Sequence, residues 1–354
     1  MRPPSAAWTW RKETEWFSVA PNTRTGMLTR PNEMAPFQMD RTVHPFRPFY
    51  GILHGMSPIT EVEGRRLALS NLDKVLYPSG FTKAEVLHYY ATVADALLPH
   101  LHDRPLSLLR YPDGVAGEHF FAKNVPPGAP AWVKTADVPR SEEKTARQVL
   151  VDDLPTLMWV ANLVTELHTP QWRASAPALA DRLVFDLDPG APADIVQCCA
   201  VAGWLRERLA EDGLTAYGKT SGSKGLHLYV PIGPPAPSRE VTSYAKALAV
   251  EASRALPDLV LHRMTRSLRP GKVFVDFSQN AAAKTTAAPY TLRARDTPAV
   301  SAPVTWDEIG ACDDPEQLAV RAPDMPERLA AHGDLLADLL DPGSGRPLPE
   351  LRAD

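Results

Sequence analysis

Asp186 and Asp188 stand two apart in Leu183-Val184-Phe185-Asp186-Leu187-Asp188, and Asp276 closes a second apolar run, Lys272-Val273-Phe274-Val275-Asp276-Phe277. Side chains alternate between the faces of a strand, so Asp186 and Asp188 project together while Leu183, Phe185 and Leu187 fill the other side. A carboxylate among Val273, Val275 and Phe277 is costly to bury alone, and a cation is its natural compensation. Oxygen ligands select hard divalent ions, and a pair of Mg2+ or Mn2+ ions roughly 3.5–4 Å apart stabilises both the attacking and the leaving oxygen of an in-line displacement. These residues therefore suit two-metal nucleotidyl transfer. The Asp-x-Asp motif alone also occurs in haloacid-type phosphatases and glycosyltransferases. Pro189-Gly190 follow it here, where the phosphatases usually place Thr or Val two residues on, which counts against an aspartyl-phosphate nucleophile.

Between the two acidic runs lies Thr220-Ser221-Gly222-Ser223-Lys224-Gly225. Its backbone N–H groups, hydroxyls and ammonium suit a triphosphate, although the spacing is not that of a P-loop. His227 and Tyr229 alternate with Leu226, Leu228 and Val230 and so face the opposite way.

The elements that must position these residues follow from the pattern. Between 183 and 277 it predicts strand (183–188), helix (192–212, closed by Gly213), strand (214–219), strand (226–232), helix (238–256, opened by Ser238) and strand (273–277). This is the β-α-β-β-α-β, split-βαβ arrangement of a mixed α/β (α+β) protein. Upstream, Thr82 and Glu85 form a capping box before Val86, Tyr89, Tyr90, Val93 and Leu97, predicting a helix over 83–98. Its first turn presents Lys83 and free backbone N–H groups, an anion site if Lys74 converges there. A strand over 106–111 and a helix near 155–167 complete this part. An amphipathic stretch over 327–340 precedes a Pro/Gly tail, and there is no internal repeat.

The 354 residues, 44% hydrophobic and 23% charged, suit one large or two intimate globular units. No stretch approaches the about 20 apolar residues of a membrane span, and no signal peptide is evident, so a cytoplasmic, nucleoid-associated protein without membrane contact is expected. Three cysteines, Cys198, Cys199 and Cys312, lack disulfide or zinc spacing, and the first two are expected in the core. The net charge of −4 offers no global attraction to nucleic acid. Locally, Arg263, Arg266, Arg269, Lys272, Lys284, Arg293 and Arg295 face only Asp276 and Asp296, so a basic surface can track phosphates.

Three motifs together resemble the archaeo-eukaryotic primase superfamily, and most closely the polymerase domain of bacterial ATP-dependent DNA ligase D: Arg182 through Gly190, Thr220 through Tyr229, and Ser267 through Asn280. The resemblance runs from about Leu67 to Leu340. It implies a primase fold, with an RRM-like catalytic module packed on an N-terminal α/β module, and Asp186, Asp188 and Asp276 holding two Mn2+ or Mg2+ ions. It further implies that Ser221, Lys224, Arg269 and Arg293 neutralise a triphosphate, with His227 and Gln279 lining the pocket and His168 near the sugar. Phe120, Phe121 and Lys123 match the family's paired aromatics for base stacking, and Asn71, Lys74 and Lys83 match residues gripping the 5′-phosphate of a gap or broken end.

The function so implied is nucleotidyl transfer from NTP or dNTP, with a preference for ribonucleotides and Mn2+, at DNA ends or gaps in non-homologous end joining. Ku and a separate ATP-dependent ligase are the implied partners. A de novo priming polymerase and a non-catalytic DNA-end scaffold are the rivals, the second disfavoured by three clustered carboxylates. The expected organisation is an N-terminal extension (1–60) with little fixed structure and no family counterpart, an N-terminal module (61–180), a catalytic module (181–325) and a C-terminal helix and tail (326–354). Met56 is a candidate start. Sealing is expected from another polypeptide, since ligase and nuclease domains are not seen in the sequence.

Overall fold

The structure, a computed structural model, describes residues 9–12, 15–18, 59–141, 144–163 and 166–350. Contacts divide the chain into two units, Met1–Asn71 and Leu72–Asp354. In the first, β1 (Thr9–Lys12), β2 (Glu15–Ser18), β3 (Ile59–Val62) and β4 (Arg65–Ala68) form an antiparallel sheet in the order β2-β1-β3-β4. Glu63 and Gly64, both at positive φ, make the two-residue turn between β3 and β4 that matches strand twist. Most of residues 1–60, expected to have little fixed structure, lies outside the described residues. Its described segments β1 and β2 are paired strands, which the Pro- and Thr-rich composition did not signal.

The second unit opens with α1 (Lys83–Thr92). Thr82 Oγ1 accepts from the Glu85 N–H at 3.3 Å, and Glu85 Oε2 accepts from the Thr82 N–H at 2.7 Å, forming the anticipated capping box. The single helix expected over 83–98 is two, because the backbone leaves helical geometry at Val93 and α2 (Ala94–Leu101) then carries Pro99 inside it. Val86, Tyr89, Tyr90, Val93 and Leu97 are all buried, so the apolar stripe continues across the break and hides it from the sequence.

Next come β5 (Ser107–Arg110), β6 (Phe120–Ala122), the hairpin β7 (Thr135–Ser141) and β8 (Lys144–Val149), and α3 (Leu154–Ala161), capped by Asp153. The helix expected near 155–167 stops at Ala161, and β9 (Glu166–Thr169) follows and pairs with β5. Every residue of α3 and β9 is buried, so no change of period marks the boundary.

Then follow β10 (Leu179–Pro189), α4 (Ile195–Glu211), β11 (Tyr217–Thr220), β12 (Leu226–Pro237), α5 (Ser238–Ala255), β13 (Val260–Leu261) and β14 (Val273–Asp276). After them come β15 (Thr286–Ala287), β16 (Leu292–Arg293), β17 (Ala299–Val300), β18 (Pro303–Val304), α6 (Trp306–Ala311) and α7 (Met325–His332). The predicted β-α-β-β-α-β module is present, in a sheet of order β13-β14-β10-β12-β11-β18. Its boundaries move for identifiable reasons. α4 starts three residues late because Asp194 caps it, accepting from the Val196 N–H at 2.8 Å. Ser238 is the first residue of α5, not its side-chain cap, and its hydroxyl is buried without a partner. The stretch 327–340 is not one helix, because α7 ends at Gly333, whose φ of 65° only glycine adopts freely.

One face of the sheet is core. Leu183, Phe185 and Leu187 of β10, Leu226, Leu228 and Val230 of β12, and Val273 and Val275 of β14 pack on α4 and α5 with Cys198, Cys199, Val201, Leu205, Val241 and Leu248. Full burial of each such side chain contributes about 1.5–3 kcal/mol over exposure, so this layer fixes the strand register. On the other face Val184 and Tyr229 are covered by Leu336 and Leu339. No helix among the described residues is long and apolar enough to cross a membrane.

Candidate active site

The register that buries Leu183, Phe185 and Leu187 sends Val184, Asp186 and Asp188 to the opposite face. On β14, Asp276 is the cross-strand partner of Asp186, and on β12 His227 is its partner on the other side. Three of the predicted residues thus meet on adjacent strands, with Asp188 two positions along.

Their charges are met by a ring of cations and donors. His227 Nε2 lies 3.3 Å from Asp186 Oδ1, and His227 Nδ1 lies 3.0 Å from Lys219 Nζ. Burial, followed by the neighbouring Lys219, pulls the His227 imidazole down to about 4, so it is neutral. Burial alone would raise the Asp186 carboxyl, but His227, Lys219 and Arg293 outweigh it and hold it below the usual carboxylate range. Asp188 is held by Lys224 Nζ and Arg269 Nη1, each at 3.1 Å. Asp276 accepts from Ser278 Oγ at 2.6 Å and from Gln279 Nε2 at 2.9 Å. Gln279, expected among the nucleotide-binding residues, donates to a carboxylate expected to bind metal.

Ser221 Oγ accepts from the Ser223 and Gly225 N–H groups at 3.2 and 3.1 Å, which folds the small-residue loop on itself. The loop comes so close to β10 that a Cβ at Gly225 would lie 2.1 Å from the Leu187 carbonyl oxygen. Arg293 Nη1 donates to the Ser221 carbonyl, and Arg293 Nε lies 3.0 Å from Glu166 Oε2. His168 Nε2 lies 3.0 Å from the same oxygen, and its ring packs edge-on against Phe121 with centroids 5.4 Å apart. Ser221, Arg293, His168 and Phe121 are thereby linked in one chain of contacts.

Phe120 and Phe121 are 48% and 55% exposed, too much for ordinary core aromatics, and Arg110 lies over the Phe120 ring at 5.5 Å. Lys123 stands just past the end of β6.

The expected anion site at the start of α1 needs correction. Its amides are not free: the Lys83 N–H donates to the Lys74 carbonyl and the Ala84 N–H to the Leu72 carbonyl, both at 2.9 Å, and Glu85 bonds Thr82. The backbone of residues 72–74 folds over the helix end, which no local pattern announced. What remains is cationic. The Lys83 ammonium is pulled down to about 8 by burial and by Lys74 beside it, and no carboxylate pairs with it among the described residues. Lys74 Nζ itself reaches the Pro112 carbonyl at 2.6 Å and Asp113 at 3.3 Å. Asn71 belongs to the first unit and adopts a left-handed φ of 54°.

Sequence reasoning missed Lys219, Glu166, Ser278 and Ser301. Lys219 is fully buried and donates to Ser301 Oγ at 2.5 Å. Its alternation with Gly218 and Thr220 in β11 was the available signal.

The donor set fits a pair of hard divalent ions: three carboxylates, acceptor-only when ionised, on neighbouring strands. Among the described residues no three carboxylate, imidazole or thiol groups are already gathered as a cage. Asp188 leans instead on its two cations and Asp276 on its own turn.

A split-βαβ sheet with acidic residues on its open face and a basic, glycine-containing loop beside them defines a mixed α/β protein with a carboxylate-centred site. Residues 82–336 match the family model described as LigD, primase-polymerase domain. The multifunctional non-homologous end joining protein LigD of Mycolicibacterium smegmatis is 46% identical over 278 residues, covering 77% of this chain and 36% of that protein. The bifunctional non-homologous end joining protein LigD of Bacillus subtilis is 32% identical over 247 residues, covering 69% and 39%. The solved polymerase domain from Mycobacterium tuberculosis Ligase D in complex with DNA matches with a TM-score of 0.73 at 44% identity, covering 78% of this chain and 98% of that one. This chain belongs to the LigD primase-polymerase domain family. It spans little more than a third of the curated relatives' length.

Proposed function

We propose that this protein is a DNA-directed nucleotidyltransferase that fills gaps and extends broken DNA ends with ribo- or deoxyribonucleotides in non-homologous end joining. The observation that carries the reading is the cross-strand pairing of Asp186 with Asp276 beside Asp188, on the face bordered by Lys224 and Arg269. Family membership and the likeness to a polymerase domain in complex with DNA support it.

In this reading Asp186, Asp188 and Asp276 hold two Mn2+ or Mg2+ ions. When bound, the ions activate the attacking 3′-hydroxyl and neutralise charge on the departing pyrophosphate. Lys224 and Arg269, released from Asp188, bind phosphate oxygens together with Arg293 and the Ser221 loop. His227, neutral and held by Lys219, donates through Nε2 at the edge of Asp186. Gln279 orients Asp276. Phe120 and Phe121 stack on bases with Lys123 nearby, and His168 approaches the sugar. Lys83 and Lys74 receive the 5′-phosphate of a gap. Ku and a separate ATP-dependent ligase are the proposed partners.

The test is extension of a 5′-phosphorylated gapped duplex by the purified protein, with NTP or dNTP and with Mn2+ and Mg2+ compared. Template-directed addition to the paired 3′ end is expected. Synthesis on unprimed single strands would favour a priming enzyme, and absence of both activities would favour a scaffold.

A further inference from the structure

Glu166 is 2% exposed, yet it makes three contacts, two of them with candidate site residues. Its Oε2 lies 3.0 Å from His168 Nε2 and 3.0 Å from Arg293 Nε, and its Oε1 accepts from the Ala294 N–H at 2.8 Å. Burial alone would raise this carboxyl, but His168, Arg293 and the Ala294 N–H outweigh it and pull it down to about 2, so it is ionised. An ionised carboxylate only accepts. His168 Nε2 must therefore carry the proton that it donates. Burial lowers the His168 imidazole below its ordinary value, so the ring is neutral and its Nδ1 bears a bare lone pair. No described residue donates to that Nδ1, while the ring stands edge-on to the exposed Phe121.

We propose that Glu166 is a positioning residue that sets two arms of the site at once: it fixes His168 as an acceptor toward the pocket and holds Arg293 where its other nitrogen meets the Ser221 loop. The inference rests on the triphosphate-pocket reading above and adds a group that touches no substrate. A bare Nδ1 matches a hydroxyl donor on the sugar, and a 2′-deoxy sugar leaves it unmatched. One buried carboxylate thus ties sugar discrimination to triphosphate grip. A merely structural ion pair between β9 and β16 would hold the strands without setting the imidazole tautomer.

The test uses Glu166→Gln in the full chain. Gln keeps the shape but offers its carbonyl to only part of the donor set. Side-chain 15N NMR of the nucleotide-free protein reads the His168 tautomer. Calorimetry with a non-hydrolysable ribonucleoside triphosphate and its 2′-deoxy counterpart, each with Mn2+, reads affinity. We expect an Nε2–H tautomer in the wild type, its loss in E166Q, and a fall in ribonucleotide affinity on the order of ten-fold, with a smaller fall for the deoxy form. An Nδ1–H tautomer in the wild type, or a folded E166Q with an unchanged ribo-to-deoxy ratio, overturns the proposal. The wild-type spectrum decides even if E166Q does not fold. If the wild type binds neither nucleotide, the pocket reading fails, and the His168 tautomer with its response to E166Q alone decides the role of Glu166.

Discussion

Asp186 and Asp276 are directly opposed on neighbouring antiparallel strands, with Cα atoms about 4.5–5.5 Å apart as such partners require. Two like charges so placed repel, and the protein spends Ser278, Gln279, His227 and Lys219 on keeping them apart. Removing one should relieve the protein without ions and disarm it with them. Asp186→Ala is expected to fold with equal or slightly greater thermal stability, to lose extension, and to lack the rise in melting temperature that Mn2+ is expected to give the wild type. A mutant that keeps both activity and the ion-dependent rise would remove Asp186 from the site.

If Lys83 grips the 5′-phosphate as proposed, end recognition is expected to be pH-sensitive. Its ammonium is held down to about 8 by burial and by Lys74, so it is mostly charged at neutral pH and loses its charge as pH climbs through that value. The preference for 5′-phosphorylated over unphosphorylated gaps should therefore shrink between about pH 7 and 9, measured by fluorescence anisotropy. Lys74→Glu should weaken binding to phosphorylated gaps far more than to unphosphorylated ones. Equal losses on both would reduce these lysines to generic electrostatics.

Phe121, 55% exposed, can be truncated without opening the core. Phe121→Ala should leave the melting temperature unchanged within a degree or two. It should raise KM for the incoming nucleotide or weaken template binding by about 1–3 kcal/mol, the usual worth of one base stacked on an aromatic ring. Unchanged kinetics would mean that the ring is not a platform.

Glu308 offers a check on the fold apart from the chemistry. Arg328 grips both its oxygens, at 2.6 and 2.5 Å, and Thr305 adds a capping contact. Burial would raise the carboxyl, but these partners pull it down to about 2 from 4.5. The unfolded chain binds the proton first, so the stabilisation is complete above about pH 4.5 and drains away as pH falls toward 2. Glu308→Gln should cost about 1–3 kcal/mol at pH 7 after allowance for partial exposure, and the gap to wild type should close in urea melts near pH 2.

How much of this was legible beforehand differs from residue to residue. Alternation predicted that Asp186 and Asp188 project together and that His227 turns away from Leu226 and Leu228, because side chains of a strand alternate between faces. The two helices of the catalytic module were also recoverable, to within a few residues. The break at Val93 was not, since buried residues continue through it. Nor was the change from α3 to β9, where burial is complete and no period survives. The amides at the start of α1 looked available because their partners, the Lys74 and Leu72 carbonyls, come from a segment with no regular pattern. Lys219 and Glu166 stayed hidden because a buried charge declares itself only through neighbours distant in the chain, Ser301 and Arg293 among them.

Leu336 and Leu339 plug the end of the sheet beside the acidic residues, resting on Val184 and Tyr229. The family match stops at 336, partway through that plug. An expression boundary drawn at the last strand, or even at the end of the matched region, would strip this lid and leave an apolar floor in water next to Asp186. The shortest fragment worth purifying therefore extends beyond residue 340.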